Sequence, residues 1–371
     1  MSAPTLYHRL GLRPFINARG TITTLGGSIM PPEVVDAMVE ASRQFVHLDE
    51  LHEKAGARIA RLTGAEGAFI SAGAASGVFL AGAACLTGED REAIRRLPET
   101  GGRPSEFVIS LVDGHYYIHQ GFQVCGGTLV KVGTSQSVSV RDYADGISPR
   151  TAACVFFLGS QRREQLPEII EVSHGRGVPV IVDAAAQLPP RANLTELTAM
   201  GADLVVFSGG KGLFGPQSTG LILGRADLVR ACRLNSNPYS GVGRGMKVGK
   251  EEICGLLRAV ELFLDQDEEA VVSEWVRRCH LIAAATTGFP GVEPDYQPPY
   301  TNQFPPASPL VRLVFRPHAP KTAAQVVREL EAGEPSVLAG STGNAVSVGP
   351  QTLQNGEAEV VAARLRAILS G

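Results

Sequence analysis

The 371-residue sequence predicts an α/β protein with a mostly parallel seven-stranded sheet in a large domain, followed by a smaller α+β domain. Three observations carry this. Seven short runs rich in β-branched and aromatic residues, at 68–70, 107–109, 128–132, 153–157, 180–182, 204–207 and 220–223, alternate with amphipathic helical segments. Runs such as Val180-Ile181-Val182 and Leu204-Val205-Val206-Phe207 are apolar throughout, as strands covered on both faces must be. Toward the C-terminus the order changes to a strand at 311–315, a helix at 322–331, a strand at 345–348 and a helix at 357–369.

In chain order, residues 31–63 read as helical: Pro31-Pro32-Glu33 opens the run, and apolar residues recur at Val34, Val35, Met38, Leu51, Ala55, Ile59 and Leu62 before Gly64 closes it. A helix at 251–263 is expected to continue through a charged, Trp-containing stretch to 285 and so to link the domains. The Pro-rich stretch 290–309 reads as loop. The expected division is an N-terminal segment at 1–45 associated with the small domain and a dimer interface, a large domain at 46–255, and a small domain at 256–371.

Composition narrows the function. With 44% hydrophobic and 19% charged residues the chain can bury a large core. A net charge of -3, with Lys and Arg scattered, provides no field for holding a polyanion, so nucleic acid is not an expected partner. Residues 1–11 have no continuous apolar core of a signal peptide, and no apolar run reaches the roughly 18 residues of a membrane helix. The six cysteines, at 85, 125, 154, 232, 254 and 279, form no C-x-x-C pair; they read as reduced, mostly buried residues of a cytoplasmic protein without a metal site.

Ligands of open α/β sheets bind at the carboxyl ends of the strands, and four loops there are unusual. Ser71-Ala72-Gly73-Ala74-Ala75-Ser76-Gly77 leads small residues straight into a helix, which suits either a phosphate cradle or tight helix–sheet packing. Asp183 ends an apolar strand; it either pairs with a buried positive group or caps the next helix. Lys211, one of six lysines, sits in Ser208-Gly209-Gly210-Lys211-Gly212, where burial would lower its pKa and make it nucleophilic, the alternative being a solvated loop lysine. Asp113-Gly114-His115-Tyr116 offers a flat ring for stacking on a cofactor, or a structural histidine, with His119 competing for the stacking role.

The phosphate-type loop, Asp183, and Lys211 28 residues later together resemble fold-type I pyridoxal-phosphate enzymes of the aspartate aminotransferase superfamily. More narrowly, the motifs Ile16-Asn17-Ala18-Arg19-Gly20-Thr21, Leu25-Gly26-Gly27-Ser28, Thr63-Gly64-Ala65-Glu66 and Gly243-Arg244-Gly245-Met246-Lys247-Val248-Gly249-Lys250 resemble the selenocysteine-synthase-like branch. Within it, core-like sequence from about residue 10 and the net negative charge make a transfer-RNA-dependent activity unexpected, and the group around D-glucosaminate-6-phosphate ammonia-lyase is the better match. The resemblance implies pyridoxal 5'-phosphate carried as a Schiff base on Lys211, with Asp183 on the pyridinium nitrogen and His115 stacked on the ring. Gly73, Ala74, Ala75, Ser76 and Ser208 would hold the phosphate, Gln187 would reach the ring hydroxyl, and Arg244 would bind phosphate or a substrate carboxylate, alongside Arg19 and Arg312 as carboxylate holders. The implied reaction is loss of water and ammonia from a β-hydroxy amino acid or amino sugar acid by a homodimer or larger homo-oligomer. An aldolase, a racemase or a β-replacing transferase would share the same residues, and a non-catalytic relative would retain the fold and the phosphate loop without turnover.

Overall fold

The computed structural model of the chain describes residues 5–301 and 305–371. The expectations for residues 1–4 and 302–304 lie outside the described residues. The described strands are β1 (Ile16–Asn17), β2 (Gly67–Ser71), β3 (Glu106–Ser110), β4 (Thr128–Val132), β5 (Thr151–Phe157), β6 (Val180–Asp183), β7 (Leu204–Ser208), β8 (Gly220–Gly224), β9 (Val292–Gln297), β10 (Leu310–Phe315), β11 (Val337–Leu338), β12 (Gly340–Thr342) and β13 (Ala345–Val348). The chain forms two compact units, a larger one at Ile29–Gln266 and a smaller one that joins the N-terminal residues up to Ser28 with Asp267–Gly371.

The larger unit contains the seven-stranded sheet in the order β2-β8-β7-β6-β5-β3-β4. Neighbours from β7 to β4 run parallel, whereas β8 is antiparallel to both β2 and β7. Alternate residues face opposite layers: Phe156, Val182, Val205 and Phe207 enter one core, and Val155, Phe157, Ile181, Leu204 and Val206 enter the other. Both faces of the sheet are covered by apolar cores, which explains why the strand sequences are continuously apolar.

The long helical run read at 31–63 is two helices, Pro32–Ser42 and Leu48–Thr63, with residues 43–47 between them and Phe45 fully exposed. Gly64 closes the second in the left-handed conformation (φ 72°). The helix expected at 251–285 also divides, into Lys250–Asp265 and Glu268–Ala285. Asp267 starts the second piece as its N-cap, accepting the Ala270 N–H at 3.0 Å, and the chain changes unit at the same point. The helix Pro32–Ser42 belongs to the larger unit because it packs on Lys250–Asp265; a Cβ at Gly255 would lie 2.7 Å from Met38 Cγ.

His52, on the helix Leu48–Thr63, is buried against Phe69 of β2 with ring centroids 4.9 Å apart. Neither ring nitrogen has a hydrogen-bond partner among the described residues. Burial, helped by the Arg233 charge and opposed by Asp49, pulls its pKa down to about 4. As pH falls below 6.5 the unfolded chain takes up this proton first, so the stability present above that pH is lost progressively toward pH 4. Removing the ring nitrogens with His52→Phe is expected to abolish about 2 kcal/mol of the loss in unfolding free energy between pH 7 and pH 5, at 1.36 kcal/mol per pKa unit. Urea unfolding of both proteins at the two pH values checks this; identical pH slopes would refute it.

The smaller unit holds a four-stranded antiparallel sheet, β12-β13-β10-β9, and a parallel pair, β1 with β11. Along β10 buried residues alternate with half-buried ones, so that Val311, Leu313 and Phe315 face a core shared with Cys279 and Ile282, Val326 and Leu330, and Val361 and Leu365 of three helices. The reading of 290–309 as loop is corrected at Val292–Gln297, which is β9, paired with β10 from Val292↔Phe315 to Gln297↔Leu310. Among the described residues of the whole chain no helix is long and apolar enough to cross a membrane.

Candidate active site

The loops after β2, β3, β5, β6 and β7 all leave the same edge of the large sheet. After β2, Gly73 takes a conformation with φ 87° that favours glycine, and Ser71 Oγ donates to its carbonyl at 3.0 Å. The helix Ala74–Thr87 then begins with no side-chain cap, so the first N–H groups, from Ala74, Ala75 and Ser76, are not taken by a capping side chain. A Cβ at Gly73 would meet nothing within 4 Å, whereas one at Gly77 would lie 2.7 Å from Val206. Tight packing therefore seats the helix on the sheet while the turn in front of it stays open, a built cradle for an anion.

Pairing aligns this loop with the others: Ser71 sits opposite Gly220 on β8, and Gly220 opposite Ser208 on β7. Beyond Ser208 the chain folds back on itself, with the Gly209 N–H on the Thr219 carbonyl and the Gly215 N–H on the Gly209 carbonyl, each at 2.8 Å. Gly209, Gly210 and Gly212 lie so close to Thr219, Gln217 and Leu188 respectively that no Cβ fits at any of them. Phe214 holds a left-handed backbone (φ 55°), and its N–H closes the turn on the Lys211 carbonyl at 3.0 Å. Lys211 is half-buried; burial draws its ammonium pKa down, and the Asp183 charge opposes the shift.

Asp183, the last residue of β6, accepts the Ala185 N–H at 3.0 Å. Burial pushes its carboxyl above the ordinary range, the Ala185 bond and the charges of Lys211 and His115 pull it back, and Asp113 pushes it further up. An acid pushed up by burial gains from a cation bound beside it, and an amine pushed down is held toward the neutral form that can condense with an aldehyde. Gln187 is buried, its carbonyl accepting Asn193 Nδ2 at 2.6 Å.

His115 and His119 separate clearly. His115 stands in the loop, its side chain 56% exposed, and Tyr117 lies edge-on with centroids 5.7 Å apart. His119 is buried in the helix Tyr116–Val124 and stacks on Phe157 at 6.0 Å; burial lowers its pKa. Asp113, which the sequence reading left without a role, is buried and accepts the His115 N–H at 2.7 Å. The one signal for it was a short acid two residues before a histidine, the spacing of an Asx turn. Ser160, after β5, donates to Asp113 at 3.0 Å, a contact that no local pattern announces.

The arginines are more dispersed. Arg244 is exposed in the larger unit, its N–H on the Gly241 carbonyl at 3.0 Å. Arg19 and Arg312 belong to the smaller unit. Arg19 is exposed and its N–H donates to Asn17 Oδ1 at 2.9 Å, while Arg312 on β10 pairs with Asp295 of β9 at 3.8 Å.

The L-seryl-tRNA selenium transferase family, SelA, matches residues 15–276. The chain belongs to the SelA family. It is a pyridoxal-phosphate enzyme of fold type I, and the resemblance read from its motifs is borne out. This SelA-family chain is 35% identical over 343 residues to a 5'-C-glycyluridine monooxygenase-decarboxylase of a Streptomyces species, spanning 89% of this chain and 83% of that one. It is 31% identical over 380 residues, 98% of each chain, to D-glucosaminate-6-phosphate ammonia lyase of Salmonella typhimurium. A solved structure of D-glucosaminate-6-phosphate ammonia-lyase matches with a TM-score of 0.83 and 29% identity, over 100% of this chain and 99% of that one. The donor set fits the cofactor: an open helix N-terminus for a phosphate, a half-buried carboxylate for a ring cation, and a half-buried amine for an aldehyde.

Proposed function

We propose that the protein is a pyridoxal-phosphate-dependent lyase that removes water and ammonia from a β-hydroxy amino acid or amino sugar acid and leaves a 2-keto acid. The observation that carries this reading is the convergence of Lys211, Asp183 and the uncapped helix N-terminus at one sheet edge. A near full-length match to an ammonia lyase supports the choice of reaction. When bound, the cofactor supplies an electron sink for a carbanion at the substrate's α-carbon.

In this reading the chain's own groups divide the work. Lys211 Nζ would hold the cofactor's aldehyde, and its neutral amine would take the substrate's α-proton. Asp183 keeps a proton on the ring nitrogen. The Gly73, Ala74, Ala75 and Ser76 backbone, with Ser208, holds the phosphate, and Gln187 reaches the ring hydroxyl. His115, the exposed one of the two histidines, would stack on the cofactor ring. Arg244 serves phosphate or carboxylate, and Arg19 and Arg312 are the further carboxylate holders. All of the groups proposed for the cofactor fall within residues 46–255. Assembly as a homodimer or larger homo-oligomer completes the proposal; exposed Val35, Val39, Phe45 and Val46 support it.

The match to a monooxygenase-decarboxylase favours a second reading, oxidative decarboxylation on the same cofactor. Oxygen separates the two. The lyase reading expects keto acid and ammonia in equal amounts from a panel of β-hydroxy amino acids and amino sugar acids, at the same rate with and without air. Oxygen uptake coupled to carbon dioxide release would overturn it in favour of the second.

A further inference from the structure

We propose that Asp113 and Ser160 hold His115 so that its Nε2 delivers the proton that leaves with the substrate's β-oxygen, an inference that rests on the lyase reading above. The Asp113 carboxylate, 4% exposed, is surrounded by donors. The His115 N–H reaches it at 2.7 Å, His115 Nδ1 lies 3.0 Å from each of its oxygens, and Ser160 Oγ donates at 3.0 Å. Burying an ionised group is expensive, and a ring needed only for stacking does not require it. With Nδ1 facing the carboxylate, Nδ1 carries a proton and Nε2 is the nitrogen presented outward, on a ring still 56% exposed. Ser160 follows β5 and Asp113 follows β3, adjacent strands, so the loop that orients the ring is tied to its neighbour in the sheet. The ring therefore has one fixed nitrogen and one free one at the same sheet edge as Lys211.

The proton balance is complete with these groups. Lys211 Nζ takes the α-proton, and the electrons of that C–H bond become the second bond between Cα and Cβ. The Cβ–O bond breaks with its pair on oxygen, and the proton from Nε2 makes the departing group water. The Asp113 carboxylate balances the charge while both ring nitrogens are protonated, and after each turnover solvent takes the proton from Lys211 Nζ and returns one to Nε2. Asp113 and Ser160 are positioning residues; His115 is the proton donor.

The test compares holoenzyme of wild type, His115→Phe and Asp113→Asn on a β-hydroxy amino acid and on its β-chloro analogue, whose chloride leaves without a proton. His115→Phe retains a flat ring, and it is expected to keep the visible cofactor band and to slow keto-acid release from the hydroxy substrate by about 10²-fold or more. Its β-chloro elimination falls far less. Asp113→Asn is expected to show the same substrate-selective loss, and the imidazole ¹⁵N spectrum of His115 is expected to lose the Nδ1-protonated signature seen in wild type. Wild-type rates on the hydroxy substrate in His115→Phe, or equal losses on both substrates, would overturn the proton-delivery role and leave the lyase reading standing. A wild-type enzyme that eliminates chloride but never hydroxide would overturn both, while the ¹⁵N spectrum would still report whether Asp113 fixes the ring.

Discussion

Lys211→Ala is expected to give a folded protein from which borohydride no longer fixes the cofactor to the chain, with kcat lower by about 10³-fold or more, the scale of losing a positioned proton-transfer group. The reasoning is local. The chain has six lysines, and Lys211 is the one set in a turn whose glycines leave no room for other side chains. Burial favours its neutral, nucleophilic form. Reduction, proteolysis and mass spectrometry would locate the modified residue in wild type, and an added small amine such as methylamine is expected to restore part of the activity of the variant. Borohydride fixation in Lys211→Ala at the wild-type level would assign the cofactor to another lysine and remove the basis of the proposed site.

The largest stability effect is expected at the other end of the strands. Asp203 is 3% exposed beside the start of β7, and its carboxylate meets His174 Nε2 at 2.8 Å, Arg225 at 2.9 Å and the Val180 N–H at 2.7 Å. Its hydrogen bond is the leading reason that the Arg225 pKa is raised. Asp203→Ala leaves a buried strand N–H without its partner, while the half-exposed Arg225 and His174 turn to solvent, and losing hydrogen bonds of this kind to a buried carboxylate costs about 2–3 kcal/mol. Urea unfolding at pH 7 is the check, and below the melting range the kcat of the variant is expected to match wild type because the network lies away from the strand ends that carry the site. A loss under about 1 kcal/mol would show that water replaces the carboxylate freely.

These cases show what was legible in the sequence and what was not. The seven strands of the large sheet were readable because each is a short apolar run between helical patterns, and burial on both faces leaves no polar alternation to confuse the reading. β9 was not, since Val292-Glu293-Pro294-Asp295-Tyr296-Gln297 contains a proline and two acids; it tolerates them because it is the edge strand of the small sheet. The break at 43–47 carries neither glycine nor proline, so helical periodicity ran across it. Lys211 and Asp183 stood out because charged residues at the ends of apolar strands need a reason to be there. Asp113 was visible as a residue but not as a function, for its meaning lies in being buried beside His115 and Ser160, 47 positions away from the latter. Local pattern reports on a residue's own segment; contacts between adjacent strand loops are set by the topology.

The antiparallel strand β8 acts as a spacer. It separates the loop after β2 from the turn after β7 by two inter-strand intervals, roughly 10 Å in all. It enters at that edge through Gly220, where any side chain would strike the Gly73 main chain. The span between an anion cradle and a reactive amine is thus measured out in main-chain hydrogen bonds by a strand that presents no side chain to either at that edge. In the proposed site, substitutions in the surrounding loops would change the contacts to a substrate while the spacing that β8 sets keeps its length.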